Sequence, residues 1–276
     1  MAAASRERYT KHTDCKQCVR KKVEAAMDER NKKTALFGLK FFILICISIV
    51  LFIAGDVFMD GYHMYKEALE QVSLEGKIVS LKADESYVEI EEVSTFFTDA
   101  LVSVEDHRFY SHPGFDIIAI ARAFISNITT EGTVSGGSTI TQQLAKNMYF
   151  TFDKKYTRKV AELLVALQLE CSLEKDEILE LYINKIYFGN GYYGIAEASR
   201  GYFGVEPEEL TMEQSVLLAG MPKAPEVFKM DGDPENLKNR SEQVVSTMVE
   251  NNYLIEQQAA EVLSNVESII LQKRYA

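Results

Sequence analysis

Between Leu101 and Asp116 the sequence LVSVEDHRFYSHPGFD places Glu105, Asp106, His107, Arg108 and His112 within eight positions. Carboxylates and imidazoles gathered this closely are the groups that take and return protons near neutral pH. An apolar run at helical spacing precedes them, Phe96, Phe97, Ala100, Leu101 and Val104, and Pro113-Gly114 closes the stretch. The pattern predicts a helix that delivers a titratable cluster at its C-terminal end. A solvated helix end whose charges pair with one another is the other reading of the same residues.

A second carboxylate and a set of cations lie further along. Lys146, Lys154, Lys155, Arg158 and Lys159 put five of the 19 cations of residues 55–276 into 14 positions, in a region with 36 acidic side chains. Lys and Arg concentrated against such a background suit a phosphate or diphosphate. An ordinary solvated face, with Arg158 paired to Glu162 four residues on, would look the same. Glu162 opens the run ELLVALQLE, apolar on most sides, so its carboxylate stands at the rim of a core. Two acids beside a basic patch suit glycosyl transfer from a phosphate-linked sugar. One carboxylate deprotonates the attacking hydroxyl, and cations offset charge growing on the departing diphosphate.

Two other motifs do not carry chemistry. Gly189-Asn190-Gly191-Tyr192-Tyr193-Gly194 fits the GxGxxG pattern, but the preceding EILELYINKIYF has helical spacing and no strand leads into it. Ser172-Leu173-Glu174-Lys175 fits SxxK without the partner motifs of acyl enzymes, and Ser172 is placed to cap a helix. Cys46 and Cys171 lie in apolar segments where buried thiols are expected. Cys15 and Cys18 form a lone CxxC after His12, without the second ligand pair that a structural zinc site needs.

The elements that must position these groups are mostly helices. Residues 35–54, ALFGLKFFILICISIVLFIA, are long and apolar enough to cross a bilayer. Residues 1–34, a basic tail, carry ten Lys or Arg against five Asp or Glu, and the flank after the span is acidic, so the positive-inside rule places the N-terminus in the cytoplasm and the rest outside. Residues 55–90 are expected as a stalk or juxtamembrane segment, with β-like alternation from Lys77 to Ile90, and residues 91–276 as the catalytic domain. Residues 116–128, DIIAIARAFISNI, form a helix apolar almost all round, buried or resting on lipid. Thr139 with Gln142, and Thr211 with Gln214, read as capping boxes, and Asp233-Pro234 opens a helix to about Asn251. The formal charge of residues 55–276, 19 minus 36 or -17, is unfavourable for nucleic acid.

Five ordered motifs resemble those of the peptidoglycan glycosyltransferases: EDHRFYSHPGFD, GGSTITQQLAKN, RKVAELLVALQLE, KDEILELYINKIYFGNGYYGIAEASRGYFG and LTMEQSVLLAGMPKAPEVF. The resemblance implies a mainly α, lysozyme-like two-lobed domain behind a transmembrane helix, and polymerisation of lipid II with release of polyprenyl diphosphate. It places Glu105 on the general base and Glu162 on the second acid. It places Arg122 and Lys146 on cations that hold the donor diphosphate, and Ser138, Gln142, Gln143 and Asn147 on polar cleft positions. Asp106 falls on the acid next to the base. Lys154 stands where relatives can have Arg, and Arg158 and Lys159 complete the basic patch. The resemblance also implies magnesium or manganese as an accompanying ion, lipid II, glycan, membrane lipid and other cell-wall synthesis proteins as partners, and the monofunctional form. The alternatives are a lysozyme-like hydrolase or lytic transglycosylase, and a non-catalytic glycan-binding scaffold.

Overall fold

The computed structural model describes residues 2–129, 136–150 and 156–275, leaving aside the side chains of residues 2–26 and a few others. Its helices are α1 (Ala2–Gln71), α2 (Leu74–Lys82), α3 (Thr95–Asp106), α4 (Ile117–Thr129), α5 (Ile140–Tyr149) and α6 (Tyr156–Ser172). They continue with α7 (Lys175–Lys185), α8 (Ile195–Phe203), α9 (Met212–Gly220), α10 (Pro225–Phe228), α11 (Pro234–Glu250) and α12 (Glu256–Tyr275). The expected mainly α architecture is present, and among the described residues the only β pairing is an isolated bridge between Tyr187 and Tyr193.

The chain divides into two units, Met1–Val57 and Phe58–Ala276. The first is helical, and its large side chains from Leu36 to Ile53 are exposed, Phe52 by 78%. Among the described residues this is the one helix long and apolar enough to cross a membrane.

The second unit is built on two helix groups. In α3, Phe97, Ala100, Leu101 and Val104 recur at i, i+3, i+4 and i+7, and this stripe packs against α9 and α11. From Ser215 to Gly220 every residue of α9 is buried. Leu237, Val244, Val245 and Met248 give α11 its matching stripe, and α12 packs against both α11 and α9. In the other group α5 packs on α6 and α7. From residue 58 onward, α1 lies against α6: a Cβ on Gly61 would stand 2.5 Å from Val160 Cβ and 2.7 Å from the Thr157 carbonyl, so only glycine permits the approach. Tyr65 donates to Gln168 Oε1 at 3.1 Å in the same contact.

The alternation from Lys77 to Ile90 does not produce a strand. Ser73 caps α2 by accepting from the Gly76 amide at 3.1 Å, and Ile78 and Leu81, one helical turn apart, pack on the core. A short alternating run satisfies both periods, and the cap decides for the helix. Residues 83–92 then cross to α7. The Asn184 amide pairs with both backbone groups of Val88, and Glu180 accepts from Tyr87 Oη, Lys82 Nζ and the Ile90 amide. Leu74 and Val88 belong to the same buried cluster as α3 and α7, so residues 74–92 pack with the domain.

Other local expectations divide. Both threonine capping boxes are formed, at α5 and α9, and Asp233 caps α11. The cap of α7 is Glu174 rather than Ser172, which ends α6; Glu174 and Glu177 satisfy each other's backbone amides. Cys171 is exposed, against the expectation of a buried thiol, because the last turn of α6 emerges from the core. The CxxC side chains lie outside those described.

Candidate active site

Glu105 occupies the last turn of α3, where the carbonyl ends of the helix disfavour an anion. Compensation comes from two partners supplied by other elements. Arg240 of α11 donates through Nη2 to Glu105 Oε1 at 3.1 Å, and Gln143 of α5 donates through Nε2 to Oε2 at 2.9 Å. Both charged side chains are nearly dry, Arg240 4% and Glu105 10% exposed. Each partner is itself held. Arg240 Nε donates to the Gly220 carbonyl at 3.0 Å and Nη1 to Gln243 at 3.2 Å, while the Phe228 ring lies 5.8 Å from the guanidinium carbon. Burial pulls the Arg240 guanidinium down, and the Glu105 carboxylate opposes that pull. Gln143 Oε1 accepts from Tyr182 Oη at 2.9 Å; burial, then the Glu105 and Asp106 charges, hold that phenol well above its ordinary range. A donor chain, phenol to amide to carboxylate, therefore fixes Glu105 from one side and a guanidinium fixes it from the other.

Asp106 is engaged in architecture. Its carboxylate accepts from the Ile140 amide at 3.0 Å, at the N-terminus of α5, and contacts His112 Nε2 at 2.9 Å. This ties the end of α3 to the start of α5, and Thr139 Oγ1, donating to the Gly114 carbonyl at 2.7 Å, makes a second tie. Arg108 pairs with Asp116 at 2.6 Å, and Asp116 caps α4 by accepting from the Ile118 and Ala119 amides. Burial would raise the Asp116 carboxyl, but the Ala119 amide, Arg108 and the Ile118 amide outweigh it and hold it low. Arg108 and His112 are thus structural, whereas His107 borders the cavity beside Glu105. Burial, and then the Arg108 and Arg122 charges, pull the His107 imidazole down.

That cavity has about 220 Å³ and is lined by Glu105, Asp106, His107, Arg122, Ser138 and Asn251 among others. Ser138 joins it to the cationic group, because Lys159 Nζ donates to Ser138 Oγ at 3.2 Å and to Glu162 Oε2 at 2.6 Å. Glu162 is 1% exposed, and its other oxygen lies 2.8 Å from Arg158 Nε in an ion pair without hydrogen-bond alignment. Lys146 stands nearby on α5. Burial lowers its ammonium most, Arg158 and Lys159 lower it further, and Glu162 acts the other way.

Most of the expected site residues are therefore brought together. Gln143, Lys146 and Asn147 share one face of α5, with Asn147 exposed. Gln142 is taken up by the capping box, its side chain accepting from the Thr139 amide at 3.1 Å. Lys154 and Lys155 fall outside the described residues. Among the described residues no three His, Cys, Asp or Glu side chains converge as a metal site. The loop from Gly189 to Gly194 follows α7, and residues 189, 190, 191 and 194 all have positive φ, which makes it a tight helix-to-helix turn. Sequence reasoning missed Arg240, Tyr182 and Lys223, which lies close enough for Arg240 and Glu105 to influence its ammonium. One signal was available: Arg240 sits on the stripe of α11 that otherwise carries Leu237, Val244 and Met248, and a cation on a core face needs a buried partner.

Residues 74–249 match the family model described as Transglycosylase. The chain belongs to the transglycosylase family. Penicillin-binding protein 1A of Neisseria flavescens is 37% identical over 237 residues, which is 84% of this chain and 29% of that protein. Its counterpart in Neisseria gonorrhoeae is 35% identical over 241 residues, again 84% of this chain and 30% of the relative. A protein of Cupriavidus necator named as a transglycosylase is 39% identical over 202 residues, 73% of this chain and 87% of the relative. The chain thus spans about three tenths of the length of the penicillin-binding relatives. In this transglycosylase domain Glu105, Arg122 and Ser138 line one cavity; Gln143 bonds Glu105, and Glu162 is linked to Ser138 through Lys159.

Proposed function

We propose that this chain polymerises lipid II into glycan strands at the outer face of the cytoplasmic membrane, with Glu105 as general base. The observation that carries the reading is the setting of Glu105: a nearly dry carboxylate, held between Arg240 and Gln143, beside a cavity that connects through Ser138 to the cationic cluster around Glu162. A carboxylate aimed by fixed partners is placed to take the proton of a sugar hydroxyl as that oxygen attacks the anomeric carbon of the growing strand. The new carbon–oxygen bond forms on the opposite face from the breaking bond to the diphosphate, which inverts the centre and releases polyprenyl diphosphate.

Negative charge grows on the departing oxygens, and Lys146, Arg158, Lys159 and Arg122 are the cations near enough to offset it. Lys154 is proposed to join them on the strength of the motif. Glu162 is a buried anchor for Arg158 and Lys159, and fixes where their charge is presented.

The membrane reading is supported by the apolar helix, and its basic N-terminal flank favours a cytoplasmic N-terminus. It is supported again by α4, where Ile117, Ile118, Ile120 and Ile125 are 47–69% exposed. An exposed apolar surface of that kind beside the cleft suits a lipid-linked substrate. The test is polymerisation of purified lipid II by the full chain in detergent, with and without moenomycin. Consumption of lipid II with strand formation, blocked by moenomycin, is the expected result. Release of fragments from finished cell wall without consumption of lipid II would identify a cutting enzyme instead.

A further inference from the structure

One buried stripe of α7 carries Ile178, Leu179, Tyr182 and Ile183. Tyr182 alone in that stripe has a polar tip, and a phenylalanine ring would fill the same space without burying a hydroxyl. Its Oη donates to Gln143 Oε1 at 2.9 Å, the one hydrogen bond that this hydroxyl makes among the described residues. Burial, then the Glu105 and Asp106 charges, hold the phenol well above its ordinary range, so the hydroxyl keeps its proton and remains a donor.

A carboxamide accepts at one end and donates at the other. With its oxygen held by Tyr182, Gln143 presents Nε2 to Glu105 and donates to Oε2 at 2.9 Å. Turned over, it would leave the Tyr182 proton without an acceptor in a dry interior. We infer that Tyr182 is a positioning residue for the reaction, fixing the sense of this hydrogen-bond chain so that Glu105 always meets a donor, which favours its carboxylate form. The inference rests on the reading of Glu105 as general base, which must begin the reaction unprotonated. A carboxylate prefers the same end of the amide unaided. Once Glu105 takes a proton that preference disappears and the one set by Tyr182 does not, so the protonated state is the one penalised. The charged and titratable groups around Glu105 are Arg240 on α11, Lys223 in the turn after α9, and its neighbours Asp106 and His107, with Asp116, Arg122 and Glu250 on the cavity walls. The Gln143 side chain hydrogen-bonds none of these; among the described residues it bonds Glu105 and Tyr182.

The test is Tyr182→Phe, which removes the donor and keeps the ring. kcat/KM for lipid II polymerisation by the full chain in detergent is followed across the acid and neutral range, and comparison with the parent cancels titration of the substrate. Expected is an acid limb moved to higher pH by roughly half a unit to one unit, the worth of one ordinary hydrogen bond. A role in packing alone would lower kcat/KM by the same factor at every pH. That result, or a limb moved to lower pH, would overturn the inference. Should Tyr182→Phe fail to fold, Tyr182→Met, which fills the site without a donor, takes its place. The same shift is read without turnover by carbon-13 NMR titration of the glutamate-labelled chain, the Glu105 signal being identified by its loss in Glu105→Gln. If the parent consumes no lipid II, the base role falls. A Glu105 titration that still moves up in Tyr182→Phe then leaves the positioning of Glu105 by Tyr182 standing, and one that does not move removes both.

Discussion

Glu105→Gln separates the catalytic role of this side chain from its structural one, and the surroundings fix what each should cost. The amide can keep an acceptor toward Arg240. Toward Gln143 it offers a donor to a donor; Gln143 can turn its amide over and Tyr182 can then accept, but the buried Tyr182 hydroxyl proton then loses the acceptor it had in Gln143. The charge is not replaceable in this way. Arg240, 4% exposed, would keep Gly220 and Gln243 but lose its counter-ion. Removing one partner of a buried pair costs about 3–5 kcal/mol, and the retained contacts favour the lower end. For a domain of this size about 3 kcal/mol lowers Tm by roughly 6–12 °C. Polymerisation measured well below that Tm should fall by about 10² to 10⁴-fold from loss of the base. Arg240→Gln added to Glu105→Gln should recover a large part of the stability and none of the activity. Activity within about tenfold of the parent would refute Glu105 as base. A melting temperature unchanged in the single variant would refute the picture of a desolvated ion pair.

Lys146→Ala should raise KM for lipid II by roughly tenfold or more, since a charge-assisted contact to the diphosphate is lost, and normal KM would contradict the assignment. Because burial holds the Lys146 ammonium low, its charge is lost as pH rises through a value below the ordinary lysine range. Affinity should therefore fall on the alkaline side, and Lys146→Arg should remove that limb of the KM profile. Thr139→Ala removes both the α5 cap and the bond to the Gly114 carbonyl, and should cost about 1–2 kcal/mol in denaturant unfolding. The Asp116 carboxyl is held low in the folded chain, so its contribution is present above the unfolded carboxyl range and is lost as pH falls through the folded value; Asp116→Asn should flatten the acid limb of a stability profile.

What the sequence determined by itself was the local chemistry. The 3.6-residue stripes of α3 and α11, the threonine capping boxes and the membrane-length apolar run are properties of neighbouring residues, so they are legible before any folding. The same holds for the clustering of Glu105, Asp106 and the 146–159 cations, and the five motifs added the family. Local pattern failed where two periods fitted equally, as in α2, and where two residues competed for one cap, as at Ser172 and Glu174. Only the tertiary structure decided how the cluster is used. Arg240 stands 135 positions from Glu105 and Tyr182 stands 39 from Gln143. No spacing rule joins such residues; they meet because α3 must bury its apolar stripe against α9 and α11, and α5 its own against α7. That packing left Glu105 with a buried counter-charge and turned Asp106 and His112 into ties between helices.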